Sequence, residues 1–136
     1  MAFIPVKRSV ASFPIAVLVY GDSGQKQTIE FTAQYRRHKQ SELDHLSDSI
    51  ANKIRKERGD ELITSKDGTT AVFKFETNID FLAEVMTGWS GVVDEHGQPR
   101  PFSPEALREL LDDYPELTLA LSEGFWGAHR KVVEKN

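Results

Sequence analysis

Residues 28–35 read Thr-Ile-Glu-Phe-Thr-Ala-Gln-Tyr, and their alternation of apolar and polar side chains decides the first part of the fold. A period of two residues is typical of a half-buried strand. The apolar run at residues 15–20 has the length of a second strand, and Gly21-Asp22-Ser23-Gly24 between the two segments supplies turn chemistry. We therefore predict an N-terminal β-hairpin with one face toward solvent.

The segment after the hairpin predicts one amphipathic helix and then a further strand. Ser41 and Asp44 form a capping-box pattern at the start of the helix, and Gly59 ends it. Residues 71–75, after an Asp-Gly turn, are predicted to form a strand that pairs with the hairpin. The apolar stripe of the helix recurs every three or four residues, at Leu43, Leu46, Ile50 and Ile54.

The remainder of the chain is predicted to be mainly helical. Residues 77–80 form a capping pattern for a helix whose apolar side chains occupy residues 81–89. Ser103-Pro104-Glu105 begins the next helix with a serine cap, a proline in the first turn and an acid. A last helix is predicted over residues 117–128, and the tail from Arg130 onward is expected to fray.

Together these elements predict an α+β fold in a single domain that spans residues 1–136. Residues 1–75 hold a small antiparallel sheet with one amphipathic helix, and residues 76–136 form the helical half. A length of 136 residues is ordinary for one domain with its own apolar core.

Composition excludes several classes of chemistry. The chain has no cysteine, which excludes disulfides, thiolate zinc sites, iron–sulfur clusters and cysteine nucleophiles. The longest apolar run, at residues 15–20, is far shorter than the roughly 20 residues that a membrane helix needs. We expect a soluble intracellular protein.

The net charge of −4 is distributed unevenly. Residues 1–58 carry 10 basic and 6 acidic side chains, a balance of +4, whereas residues 91–124 carry 2 and 8, a balance of −6. Arg36, Arg37 and Lys39 form a basic cluster, so a nucleic-acid-binding regulator stays open as an alternative. The acidic C-terminal half argues against that alternative.

No pattern of residues is typical of catalysis. Asp44, His45 and Asp48 lie near one end of the predicted helix and would hold a metal weakly, which leaves a small metal-dependent enzyme as a second alternative. A solvated polar helix face explains the three residues better. The chain has no Gly-Lys-Ser or Gly-Lys-Thr phosphate loop and no Gly-x-Ser-x-Gly elbow. We therefore predict no enzyme activity and no catalytic, cofactor-binding or metal-binding residues.

The most informative segment is residues 88–105. A tryptophan, an Asp-Gly turn and a Pro-Phe-Ser helix start follow one another there. Trp89 and Phe102 are predicted to close over each other and to clamp a chain reversal between two helices. The aromatic surface of this segment, together with Trp126 on the last helix, is the candidate surface for a partner.

Residues 79–128 resemble the tail assembly chaperones of long-tailed bacteriophages and prophages. In that family a Gly-Trp and Gly-Val pair, an Asp-Gly turn, Pro-Phe-Ser and a leucine-rich helix follow in this order. The matching residues here are Trp89-Ser90-Gly91-Val92, Asp94-Glu95-His96-Gly97, Pro101-Phe102-Ser103-Pro104-Glu105, Leu107, Leu110 and Leu111.

The resemblance implies a non-catalytic role, without a cofactor, in the host bacterial cytoplasm. Such proteins bind the tape measure protein, keep it soluble and promote assembly of the tail tube protein around it. They are absent from the mature virion, and many are also made in a longer, frameshifted form. A head–tail connector or tail completion protein is the alternative within the same class.

The expected partners are therefore the tape measure and tail tube proteins of the same phage, with self-association left open and with neither nucleic acid nor a membrane. The C-terminal half offers the apolar side chains for helix-in-groove recognition, and its acidic balance would steer a lysine-rich client. The candidate partner-binding residues are Trp89, Val92, Phe102, Leu107, Leu111, Leu121, Phe125 and Trp126.

Overall fold

The computed structural model describes residues 1–130, 132 and 133, so the tail that was predicted to fray lies largely outside the described residues. The described chain is α+β, as predicted. It forms two compact units: Met1–Arg37 together with the described residues from Thr77, and His38–Glu76. The N-terminal hairpin thus belongs with the C-terminal helices. That the two units act as one domain stays a prediction.

The predicted hairpin is confirmed, with longer strands than expected. Strand β1 (Val10–Tyr20) pairs antiparallel with β2 (Lys26–Arg36), and Ile15 lies opposite Phe31. One face is wet, as the alternation predicted: Leu18 and Tyr20 on it are exposed. The other face is the core face, with buried side chains at Ala11, Ile15, Val19, Phe31, Ala33 and Tyr35.

The third strand is not the predicted one. Residues 71–75 form no strand, whereas Met86–Ser90, predicted as the end of a helix, form β3 on the far side of β2. The helix stops at Val85, and the chain becomes extended at Met86, with ψ 137°. Both segments are short and apolar. Only the tertiary structure decides which of them forms backbone hydrogen bonds with the free edge of β2. The sequence prediction was therefore wrong at both places.

The predicted amphipathic helix is confirmed as α1 (Gln40–Arg58), and Gly59 ends it in the left-handed region at φ 74°. Its predicted cap is wrong. The first turn is closed by the Glu42 carboxylate, which accepts the Lys39 N–H at 2.9 Å, and Ser41 lies inside the helix. The capping box lies two residues earlier than predicted, because Lys39 is the N-cap and Glu42, not Asp44, occupies the third helical position that the box requires.

Within His38–Glu76, one polar side chain connects α1 to the extended residues that follow it. Asn52 is buried, and its amide group donates to the carbonyls of Ile63 at 3.1 Å and of Ala71 at 3.0 Å. Its carbonyl accepts the Ile63 N–H at 2.7 Å. The predicted stripe is only partly inside, since Leu43 is buried whereas Ile54 is exposed.

The three C-terminal helices begin where the sequence predicts. Thr77 caps α2 (Asn78–Val85) by accepting the Asp80 N–H at 3.1 Å, and Ser103 caps α3 (Pro104–Asp113) by accepting the Ala106 N–H at 3.0 Å. The last helix, α4, spans Leu117–Arg130. The interior of this unit is completed by the buried side chains Phe81, Leu82, Val85, Leu107, Leu111, Leu117, Leu121 and Phe125.

Candidate partner-binding surface

Trp89 is clamped as the sequence predicted. Its ring meets Phe102 edge to face, with centroids 5.0 Å apart and planes at 88°. Its indole N–H donates to the Arg100 carbonyl at 2.8 Å, a hydrogen bond that the sequence did not indicate. Trp89, Arg100 and Phe102 are called the tryptophan clasp below. The clasp fixes the base of the loop that runs from β3 to α3.

The tip of this loop is shaped by Asp94. Its carboxylate accepts the N–H groups of His96 at 2.8 Å and Gln98 at 3.0 Å, and Gly97 turns the chain with φ 77°. Val93, beside the turn, is 55% exposed. The loop therefore presents an apolar side chain on a tight, internally bonded turn.

Ion pairs connect the clasp and α2 to α3. Arg100 contacts the Glu109 carboxylate at 2.6 Å, and Arg108 contacts Asp80 at 2.9 Å. The hydrogen bond from Arg108, with that from Thr77, lowers the pKa of Asp80 below its usual value. Arg100 and Arg108 are the two basic residues of the acidic segment 91–124, and both form ion pairs. No further Lys or Arg of this segment is left to pair with the other exposed carboxylates of α3.

Helix α4 is held against the sheet by Tyr35. The Tyr35 hydroxyl donates to the Leu121 carbonyl at 2.6 Å, and burial raises the pKa of the phenol. Glycine is required where the helix crosses the strands, because a Cβ at Gly124 would lie 2.7 Å from the Tyr35 hydroxyl and 2.9 Å from Ile15 Cδ1. The Phe125 ring packs edge to face against Tyr35, with centroids 5.7 Å apart. This contact fixes the orientation of α4.

The eight candidate partner-binding residues divide into two groups. Leu107, Leu111, Leu121 and Phe125 have at most 1% of their surface exposed, so they belong to the core of the free chain. The other four, Trp89, Val92, Phe102 and Trp126, are half-buried. Partner binding by any of them stays a prediction, but only the second group is accessible without opening the core.

Trp126 lies on the partly exposed side of α4. Its ring meets Phe125 edge to face at 5.2 Å, and the Arg130 guanidinium lies 5.0 Å from its centroid. Leu119, two helical turns earlier, is 67% exposed and is not among the predicted residues. Its position outside the Leu117–Leu121 stripe is the signal that identifies it as a surface residue.

The structure also places the residues on which the two alternatives rest. Asp44 accepts a hydrogen bond from Gln40 at 2.8 Å, and no group of three metal-ligating side chains occurs among the described residues. In the basic cluster of Arg36, Arg37 and Lys39, the Arg37 Nε–H donates a hydrogen bond to the Val10 carbonyl at 3.1 Å. No helix in the described part of the chain is long and apolar enough to cross a membrane.

Comparison with known families agrees with the clasp segment and extends beyond it. The family model described as phage tail assembly chaperone matches residues 1–136, the whole chain. The chain belongs to the phage tail assembly chaperone family. The resemblance that the sequence carried at residues 79–128 is confirmed, and it covers the hairpin and α1 as well. No curated protein and no solved structure matches this family member.

Proposed function

We propose that the chain binds the tape measure protein of its phage in the host cytoplasm and keeps it soluble while the tail tube protein assembles around it. The match of the whole chain to the tail assembly chaperone family carries this proposal. The role requires neither a cofactor nor catalysis. It requires an accessible apolar surface on a rigid support, and a charge that favours the client.

The half-buried aromatic residues supply such a surface. The tryptophan clasp, Val92 and the exposed Val93 lie on the loop before α3, and Trp126 and Leu119 lie on α4. Side chains of this kind are typical anchors for the apolar stripe of an amphipathic helix. The contacts of the clasp and of Tyr35 hold them in place before binding, which lowers the entropic cost of association.

The charge of this half of the chain indicates the chemistry of the client. Residues 91–124 carry 2 basic and 8 acidic side chains, and both basic ones form ion pairs. A client helix with lysine or arginine beside its apolar stripe would be steered toward this surface. Binding should therefore weaken as ionic strength rises.

Binding of the purified chain to the cognate tape measure protein tests the proposal. We expect a complex in size-exclusion chromatography with light scattering. The substitutions Val92→Ser and Trp126→Ser should each weaken it about tenfold or more, the loss typical of an interface anchor. Val72→Ser is the matched control, because Val72 is exposed but lies in His38–Glu76. Equal effects of all three variants would contradict the proposed surface.

The alternative role as a connector or tail completion protein predicts a different location. A chaperone is released before the virion is complete, whereas a connector or completion protein persists in it. Quantitative mass spectrometry of purified virions should detect the tape measure and tail tube proteins but not this chain. A fixed number of copies per virion would favour the alternative.

A further inference from the structure

The outer edge of β1 is open. The sheet order β1-β2-β3 places β1 at one end, and none of the described residues pairs with its other side. The Arg37 N–H donates to the Ser9 carbonyl at 3.0 Å. Because hydrogen-bonded pairs alternate along antiparallel strands, the backbone N–H and C=O groups at the odd-numbered positions of β1 bond to β2. The N–H and C=O groups of Ser12, Ala16, Leu18 and Tyr20 consequently point to the open edge.

An exposed apolar and basic arm precedes this strand. All side chains from Met1 to Ser9 are exposed, among them Phe3, Ile4 and Val6. The arm also carries Lys7 and Arg8. Arg8 lies near a like charge, since burial and then the Arg8 guanidinium lower the pKa of Arg37. The arm therefore combines exposed apolar surface with two positive charges, one of which lies near the like charge of Arg37.

A cleft of complementary character lies at the other end of β1. It has a volume of about 470 Å³ and is lined by the β1–β2 turn and by the corner between α3 and α4. Its lining residues include Tyr20 and Tyr114 and the acidic residues Asp22, Asp113 and Glu116. No ion pair reaches these carboxylates from the described residues, and Lys26, opposite Tyr20 in the hairpin, does not line the cleft.

We infer that two copies of the chain associate through antiparallel pairing of their β1 edges, with the arm of each copy seated in the cleft of the other. Pairing centred on Ile15 places Val10 opposite Tyr20 of the second copy. In this register each even-numbered residue lies opposite an even-numbered residue, and these are the residues whose backbone groups point to the open edge. Continuing this register, Arg8 comes opposite Asp22 of the second copy. The arm and the cleft meet because they flank the same strand.

The charge of the arm and its length both favour the arm of a second copy as the occupant of the cleft. The arm brings two cations and four large apolar side chains to a cleft lined by three acidic residues and two tyrosines. Nine extended residues span about 30 Å, which is enough to cross the cleft. Pro14, opposite Ala16 in this register, costs one N–H donor in each copy. The Ser12–Leu18 pairs keep their N–H donors, whereas the Val10 carbonyl opposite Tyr20 already accepts the Arg37 Nε–H at 3.1 Å.

Charge reversal of arm and cleft tests the inference. Analytical ultracentrifugation of the full chain should show a monomer–dimer equilibrium. The arm variant Lys7→Glu/Arg8→Glu and the cleft variant Asp22→Lys/Asp113→Lys/Glu116→Lys should each raise the dissociation constant at least tenfold. Mixing the two variants should restore dimers, because each arm then meets a cleft of opposite charge. Circular dichroism checks that each variant is folded.

Matched controls separate this contact from a general effect of net charge. Lys56→Glu/Arg58→Glu and Glu57→Lys/Asp60→Lys/Glu84→Lys change the charge equally at exposed positions outside the arm and cleft, and they should leave the dissociation constant unchanged. Ala16→Pro removes an N–H at the open edge and should weaken the dimer. A monomer at concentrations up to about 1 mM would overturn the inference, as would dimers that withstand arm reversal, cleft reversal and Ala16→Pro.

Discussion

The two compact units are stabilised by different interactions. In the unit that contains the hairpin and the C-terminal helices, Tyr35, Leu121 and Phe125 are fully buried, and aromatic edge-to-face contacts surround Phe125. In His38–Glu76 the most connected buried side chain is the amide of Asn52, whose three hydrogen bonds connect α1 to Ile63 and Ala71. One unit relies on apolar burial and the other on a few directional hydrogen bonds.

This difference indicates how each unit will respond to substitution. Removing a buried ring creates a cavity that weakens the whole cooperative unit. Removing a hydrogen-bonding amide leaves a small number of backbone groups unsatisfied and opens the chain locally. We therefore expect one unit that loses stability as a whole and a second unit that opens locally. The four predictions below test this contrast, from the largest expected effect to the smallest.

Phe125→Ala should cause the largest loss of stability. The ring packs against Phe81 with centroids 5.2 Å apart and against Tyr35, and it has no exposed surface. The free energy of unfolding, measured by urea denaturation, should fall by about 3–5 kcal/mol. Leu119→Ala, on the exposed side of the same helix, should change it by less than about 0.5 kcal/mol. Similar losses in the two variants would contradict the assignment of Phe125 to the core.

Asn52→Ala should destabilise His38–Glu76 by about 1–3 kcal/mol, because three buried or half-buried backbone groups lose their partner. Hydrogen exchange should accelerate between residues 60 and 71 while the amides of α4 keep their protection. His45→Ala, at an exposed position of the same helix, is the control. Equal acceleration in both units would show that the contrast between them is wrong.

Trp89→Phe should have a smaller effect of about 1 kcal/mol, because the ring contact with Phe102 survives and only the hydrogen bond to Arg100 is lost. Urea denaturation measures the change. Trp126→Phe is a matched control, since the Trp126 indole N–H forms no hydrogen bond within the described residues. If Trp126→Phe were the more damaging substitution, the clasp would not depend on its hydrogen bond.

The turn at Asp67 should show the smallest effect, as a local dependence on pH. Hydrogen bonds from Ser65 and then Thr69 lower the pKa of Asp67 from 3.8 to about 2. Because the folded pKa is depressed, the stabilisation is present above about pH 4 and disappears as the pH falls through about 2. An NMR titration of the Asp67 carboxyl should give a midpoint well below 3.8, and the Thr69 amide should follow it. Asp67→Asn should abolish this step, and a midpoint near 3.8 would contradict the hydrogen bonds.

Much of the fold could be predicted from local patterns. The alternation at residues 28–35 and the caps at Thr77 and Ser103 depend on neighbouring residues alone, and the structure confirms each of them. The third strand depends on which distant segment reaches the edge of β2. Residues 71–75 and 86–90 both carry short apolar runs, and neither run specifies its partner. Local sequence therefore could not decide between them.

The candidate surface was only partly predictable for a related reason. The contact between Trp89 and Phe102 follows from a helix start placed close behind a turn, and the structure confirms it. A leucine stripe, by contrast, indicates which face of a helix is buried, but it does not indicate whether that face packs against the core or against a partner. Leu107 and Leu121 lie in the core for this reason, whereas the exposed Leu119 falls between the stripe positions.

The chain belongs to the phage tail assembly chaperone family, and the central proposal is that it keeps its tape measure protein soluble. The most direct measurement is the soluble fraction of the tape measure protein after expression with and without this chain, followed by its recovery in a complex with the chain. The account predicts that the tape measure protein is largely insoluble alone and soluble in a stable complex when the two are made together. An equally insoluble tape measure protein beside a folded, abundant chain would contradict it.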